Sequence, residues 1–398
     1  MGPVSEGLLD SAAVSAPGPH LLELGTRIAP FGDPVGALPL FDATVAELRD
    51  REVAHSGVAP ERLTFADYAV ATHPVLAAFA RAAPGGRPAA LALPAHPVFE
   101  ALAAVSSARR AGDRLVYDIF LDAPRGADLE TLRAEATPVL VPLVPAVLPR
   151  ALPRLGPPPH VEPVLMDGAF AAHLEHWVHV LWAAQAWVPA LRVHAEGKRR
   201  RGSVIGPGAD VHPSAYLEGA IIGAGAEIGA SCVLRHCYVG PKSRLSDFTK
   251  LAHGVLGPET HTLADATFEH MVALGGGTLT NLLLQDSLLG RQVFLTTGVV
   301  FWRDALGDTI TVQHQGREVD TGRKVLGGCA GHGSILGART IVAPGRALPN
   351  RTTVVMRKAE GVFKVAEVPP GTPMCWSEGA LVPVGEVEEG YVAEEVEG

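Results

Sequence analysis

From Ser203 onward, aliphatic residues recur at a spacing that neither a helix nor a strand generates. Ile205, Val211, Leu217, Ile222, Ile228, Leu234, Val239, Leu245, Leu251 and Leu256 are separated by 6, 6 and 5 residues in three successive rounds. Each round is a turn of 17 residues with one aliphatic residue per side of a triangular coil. A repeat of this length marks a stacked solenoid, because one coil cannot bury its own apolar face and needs neighbours. Each side contributes a short strand, and backbone groups pair from coil to coil. Gly206, Gly223, Gly229, Gly240 and Gly257 follow inward residues, where the chain must turn a corner without a Cβ clash.

The regularity breaks after Leu256 and resumes at Leu289, Leu295 and Phe301, then at Ala330, Leu336, Val342 and Leu348. Between the last two runs, Thr309–Val312 and Arg317–Asp320 flank residues 313–316 as the arms of a hairpin projecting from the stack.

The first half reads differently. Candidate strands Arg62–Phe65, Ala89–Leu93 and Leu115–Leu121 alternate with candidate helices Val75–Ala82 and Val98–Arg110. That alternation predicts an α/β domain with a largely parallel sheet. The proline-rich residues 149–159 break regular structure. A helix over Ala169–Val188, apolar around much of its circumference, predicts burial between layers. The basic run Lys198–Arg201 reads as a solvated linker. The expected division is a flexible 1–19, an α/β domain at 20–160, a connecting helix and linker at 161–202, the solenoid at 203–356, and an extension with an acidic tail at 357–398.

Composition narrows the function classes. A net charge of -9 over 398 residues argues against a nucleic-acid binder, which would present a basic stripe. No apolar run is long enough to span a bilayer, and residues 1–19 lack the basic-then-apolar pattern of a secretory leader. The four cysteines, Cys232, Cys237, Cys329 and Cys375, form no CxxC pair, which points to a reducing cytoplasm.

The segment Ile222–Gly240 resembles the β-helix of the bifunctional N-acetylglucosamine-1-phosphate uridyltransferase/glucosamine-1-phosphate acetyltransferase family, including its 6, 6, 5 spacing. Asp286–Gly290 with Leu295–Gly298 looks like the coil after that family's acetyltransferase site. Asp320–Gly327 with Ala343–Arg346 is similar to two-domain sugar nucleotidyltransferases. Upstream, Gly25-Thr26-Arg27 followed by Pro30 resembles a nucleotidyltransferase phosphate loop, and Leu63–Asp67 resembles the strand ending in its metal-holding aspartate.

The resemblance implies a nucleotidyltransferase-like, Rossmann-like α/β domain followed by a left-handed parallel β-helix of hexapeptide repeats, assembled as a homotrimer. It implies acyl transfer from acetyl-CoA or another acyl-CoA to a sugar phosphate or nucleotide sugar. Thr297, Gly298, Ala343 and Arg346 would line the acyl-CoA groove between neighbouring β-helices of the trimer, and Gly25, Thr26, Arg27 and Asp67 would hold nucleotide, with Mg²⁺ if that domain is active.

The sequence also departs from the pattern. The family's Pro-Lys pair is replaced around Pro34-Val35-Gly36, which removes charge that phosphoryl transfer relies on. The position of the family's basic histidine falls on Ala264 or Thr280, depending on the direction of alignment, as if one extra coil lay between. His270 and His261, inside that stretch, are the candidates for a relocated general base. Two readings follow: an acyltransferase with a degenerate nucleotidyltransferase domain, or an inactive trimeric scaffold or ligand-binding regulator of the same fold. His173, His176 and His179 recur at intervals of three and offer transition-metal ligands, but Trp177 and Trp182 beside them favour packing.

Overall fold

The computed structural model describes residues 18–152, 160–280, 282–305 and 309–355, and short strands between 364 and 383. The acidic tail expected at the end lies outside the described residues.

The second half is a parallel β-solenoid. Its first face runs through Ser203–Ile205, Ile221–Ile222, Tyr238–Val239, Val255–Leu256, Val272–Ala273, Leu288–Leu289, Cys329–Ala330 and Ala347–Leu348, all parallel. The second face starts at Asp210–Val211 and has eight strands; the third starts at Tyr216–Glu218. The repeating aliphatic residues point inward as one core, with Ile222, Leu234, Val239, Leu245, Leu251 and Leu256 all buried.

The stack does not break after Leu256. His261–Thr262, Thr267–Glu269, Val272–Ala273, Thr278–Leu279 and Leu283–Gln285 continue the three faces in order. Thr262, Phe268 and Ala273 take the inward places here. Varied side-chain size hides the repeat, and His261 and His270 lie on coils continuous with the rest of the stack. The excursion at 302–328 is real, and its hairpin pairs Thr311–His314 with Arg317–Asp320. Gln315 and Gly316 at its tip both adopt positive φ, the geometry of a tight two-residue turn. The hairpin is not free of the body: Val312 and Ile310 are buried, and His176 Nε2 lies 3.0 Å from the Gln313 carbonyl oxygen.

The first half is an α/β region whose sheet is mixed rather than largely parallel. Its strands lie in the order His20–Leu22, Leu63–Ala66, Arg114–Leu121, Ala89–Pro94 and Thr137–Leu140. Arg114–Leu121 runs antiparallel to both neighbours, because it enters the sheet from a hairpin with Arg109–Ala111 turning at Gly112. Four helices pack around this sheet: α1 (Val45–Ser56), α2 (His73–Ala82), α3 (Pro97–Ala103) and the short helix Leu129–Glu135, whose Leu132 is buried on the sheet. α3 is shorter than the expected 98–110, since Val105 takes a positive φ and the Ser106 hydroxyl bonds the Ala103 carbonyl.

The long helix, α4 here (Trp177–His194), starts later than expected. Ala171–His173 pairs instead as a strand with Ala69–Ala71, and a capping box of His176 and His179 sets the helix start. Of residues 149–159, expected as irregular, 149–152 belong to a strand, Val147–Leu152, antiparallel to His160–Leu165, and 153–159 lie outside the described residues. Lys198–Arg200, expected as a linker, forms a strand antiparallel to Ser203–Ile205 at the open end of the stack. Arg199 turns back to bond the carbonyls of Arg192 and Ala195 at the C-terminal end of α4, where a cation is favoured.

One core joins the two halves. The residue preceding each inward residue on the first face is apolar: Val204, Ile221, Tyr238, Val255, Val272 and Leu288. These six point outward, yet they belong to the same buried cluster as Trp177, Trp187 and the α/β core. Fully burying such side chains stabilises by roughly 1.5–3 kcal/mol each. α4 is thus covered on one side by the α/β region and on the other by the solenoid.

Candidate functional site

The third-to-first corner of the solenoid carries a ladder of imidazoles. His236, His253 and His270 stack with ring centroids 5.2 and 5.0 Å apart, near-parallel at 18° and 8°. Asp286 takes the same corner on the next coil, and all four residues have φ between 46° and 50°. His and Asp tolerate this left-handed conformation better than most residues, so the backbone alone accounts for the column.

Contacts with α4 give His270 a further property. The Gln185 amide nitrogen donates to the His270 carbonyl at 3.0 Å, which leaves Gln185 Oε1 to accept from Nδ1–H at 3.1 Å. That arrangement puts the ring lone pair on Nε2, the tautomer a general base needs. His253, His270, Asp286, Gln185, Trp182 and Arg323 line a cavity of about 60 Å³. Arg323 lies across the Trp182 ring at 4.3 Å and reaches the Ala101 carbonyl, so α3 and the hairpin excursion roof the space. Ligand sites for drug-sized molecules span roughly 300–1,000 Å³. As folded, this cavity within one chain is sized for solvent-sized groups.

The other expected site residues are not gathered around His270. His261 is exposed on the second face, between Arg244 and Thr278 of the neighbouring coils. Thr297 and Gly298 sit exposed on the second-to-third corner, with Thr297 Oγ1 donating to the Thr280 carbonyl at 3.0 Å. Thr280 and Ala264, the two positions aligned with the family's base, share that corner. Ala343 and Arg346 lie on the third-to-first corner, where Arg346 holds the hairpin through the Thr311 carbonyl and Glu318. Within one chain, the groove residues are therefore split between two edges of the prism.

Gly25, Thr26, Arg27 and Asp67 do come together. Asp67 accepts the amides of Leu24 and Thr26 at 3.1 and 3.0 Å and the Thr26 hydroxyl at 2.8 Å. The donors that a phosphate would use are thus turned to a carboxylate of the chain itself. Arg27 bonds the Gly32 carbonyl and braces its own loop.

A larger opening lies where residues 31–47 face the solenoid's first-to-second corner. This cleft has a volume of about 1060 Å³. Its walls include Asp33, Glu47, Glu259, Arg291, His332 and Arg351. His332 clamps the walls: its Nε2 lies 2.8 Å from Asp33, its Nδ1 accepts the Arg291 amide at 2.8 Å, and Phe31 stacks on its ring at 4.7 Å. With Nδ1 accepting, Nε2 must carry the proton, so this imidazole fastens the cleft and is not poised as a base. Asp33 also faces Arg291 at 3.7 Å, and Glu47 closes the capping box of α1. Arg351 and Glu259 are exposed to the opening.

Elsewhere, perturbed groups serve the core. Asp118 accepts from Tyr68 and Arg133 and its amide donates to His173 Nε2. Burial pushes its carboxyl up, but Arg133, His173 and Tyr68 outweigh that and hold it below the ordinary range. His173 lies on a strand ahead of α4, not on the helical face shared by His176 and His179. All three rings have named partners: His173 the Asp118 amide, His176 the Gln313 carbonyl and His179 the Ala104 carbonyl.

No family model and no curated protein matches this chain. Geometry alone distinguishes its sites. Sequence reasoning missed the cleft, whose walls are more than 200 residues apart in sequence at Asp33 and His332. The imidazole ladder was visible as three histidines spaced by 17 residues.

Proposed function

We propose that this chain is a ligand-binding, regulatory relative of sugar-nucleotide transferases that takes a phosphate-bearing sugar, such as a sugar phosphate or nucleotide sugar, in the Phe31–Arg351 cleft. The contrast in space carries the reading: about 1060 Å³ in the cleft against about 60 Å³ beside His270. Arg291 and Arg351 offer guanidinium forks suited to phosphate, and Glu259 offers an acceptor for sugar hydroxyls. Asp67, filling the amides of its own loop, removes support for nucleotidyl transfer and for a Mg²⁺ site there.

A homotrimer fits this reading. Leu283, Phe294, Val300 and Ile335 are exposed on the second and third faces and Phe248 and Leu263 at the corner between them, while the first face is already covered by the chain's own α/β region. Rows of apolar side chains on a straight face suit a second copy around a closed axis. Free, buried Cys232, Cys237 and Cys329 fit a reducing, cytoplasmic setting. Among the described residues no helix is long and apolar enough to cross a membrane.

Acyl transfer stands as the second reading, favoured by the His270 tautomer that Gln185 sets. In that step the acceptor amine would attack the thioester carbonyl, its proton would pass to Nε2, and the coenzyme A thiolate would leave. It requires Arg323 and α3 to move off the cavity.

Calorimetric titration with glucosamine-1-phosphate, UDP-N-acetylglucosamine and acetyl-CoA separates the two. Saturable binding of a sugar phosphate or nucleotide sugar, weakened at least tenfold by Arg291→Ala with Arg351→Ala, supports the cleft. Thiol release from acetyl-CoA that disappears in His270→Gln overturns the binding-only reading, and no binding of any of the three overturns both.

A further inference from the structure

Three histidines from three helix ends meet away from both sites. His55 lies in the last turn of α1, His73 opens α2, and His194 closes α4. Their ligand-capable nitrogens all lie within 4.8 Å of one another, and all three rings are partly buried. From this convergence we propose a divalent transition-metal site, best suited to Zn²⁺, that clips the α/β region to the helix packed on the solenoid.

The carboxylate behind His73 points the same way. Glu52, only 2% exposed, receives the His73 amide at 2.6 Å and His73 Nδ1 at 2.8 Å. Its other oxygen accepts the Trp187 indole at 2.7 Å. A carboxylate held this way fixes His73 with its proton on Nδ1 and its lone pair on Nε2, the carboxylate–histidine–metal arrangement of zinc proteins. His73 Nε2 then lies 3.2 Å from His194 Nε2. Two nitrogens bound at roughly 2.0–2.1 Å to a tetrahedral zinc are separated by about 3.3–3.4 Å. The observed spacing is within a small adjustment of that edge.

The ring planes of His73 and His194 cross at 80°, so their lone pairs can converge on one ion. His55 is the member that must move. It stacks on His194 at 3.8 Å and 11°, and binding would require its side chain to rotate until a nitrogen faces the shared point. Two of the three helices present their C-terminal ends, whose carbonyl dipoles favour a cation; α2 presents its N-terminus and opposes this in part. Three imidazoles leave a fourth place for water, and imidazole donors suit Zn²⁺ over Mg²⁺ or Ca²⁺.

The test uses the full, tag-free chain after chelator treatment. Titration with Zn²⁺ by calorimetry is expected to give one site per chain, and Co²⁺ to give the visible absorption of a tetrahedral centre. His73→Gln and His194→Gln each should weaken binding at least tenfold, Glu52→Gln by about 10- to 100-fold, and the exposed His212→Gln not at all. Zn²⁺ should raise the melting temperature of the native chain but not of His194→Gln. His55→Gln, at an accessible helix end, supplies an independent variant should His73→Gln fail to fold. No zinc binding, or zinc binding untouched by the His55, His73 and His194 substitutions, overturns the site and leaves a proton-sharing histidine cluster.

Discussion

Asp67 holds Thr26 by two groups at once, taking its amide at 3.0 Å on one carboxylate oxygen and its hydroxyl at 2.8 Å on the other. The pair ties the loop after the first strand to the end of the second, at the edge where a phosphate or a metal would be expected by resemblance. With the Leu24 amide, the carboxylate of Asp67 takes three donors from this loop.

This makes Asp67 a stability residue. Asp67→Ala should destabilise the chain by about 1–3 kcal/mol, because three donors lose a charged acceptor. Urea denaturation of the variant and the native chain measures it; an unchanged midpoint would remove the bracing role.

The corner glycines bear the stack's closest approaches. A Cβ on Gly240 would collide with the backbone nitrogen of Pro258 on the next coil, and one on Gly223 with that of Pro241. Gly240→Ala should therefore cost about 1–3 kcal/mol, as overpacking does. Gly86→Ala, where a Cβ meets nothing within 4 Å, serves as a contrast whose cost arises from its φ of 83° alone. Equal thermal shifts in the two would contradict the steric account.

Acid should weaken the seam between the halves. Burial lowers His173 and His176 to about 4 and His179 to about 3. In the unfolded chain these rings take up protons near 6.5. The unfolded state thus binds more protons between those values, so stability is complete above about pH 6.5 and falls as pH drops toward 3–4. Denaturation midpoints from pH 7 to pH 4 should decline more steeply in the native chain than in His179→Phe; parallel curves would show that His179 does not contribute.

Gln185 should decide where the His270 proton sits. In ¹⁵N-histidine spectra the native ring is expected as the Nδ1–H tautomer, and Gln185→Leu should shift it toward a mixture. If the variant spectrum is unchanged, the helix does not set the tautomer.

The solenoid was legible because interior packing demands an aliphatic residue at each corner-to-corner step, and Ile205 through Leu256 obey it. It faded where Thr262, Phe268 and Ala273 fill the interior by mutual compensation of size, a relation visible only across coils. A second signal went unread: the apolar residue before each inward position, from Val204 to Leu288, announces that the outer side of the first face is covered. The sites were less accessible. The cleft and the three-histidine cluster join residues over 100 positions apart, such as His73 and His194, and local pattern carries no information about such meetings. The mixed sheet escaped notice because the hairpin at Gly112 reverses a strand that composition alone presents as another parallel one.

α4 touches the coils at separated levels: Arg192 bonds the Gly219 carbonyl, and seven residues earlier Gln185 grips His270, three coils further on. Laid across the stack in this way, the helix acts as a splint. Solenoids held only by neighbouring rungs can be unzipped rung by rung under load. Here the last coils are tied to the α/β region as well, Asn350 through the Phe31 carbonyl and His332 through Asp33, so tension applied at the C-terminal end meets resistance before it reaches the splinted level. Mechanically, the protein is a short cable clamped along its length.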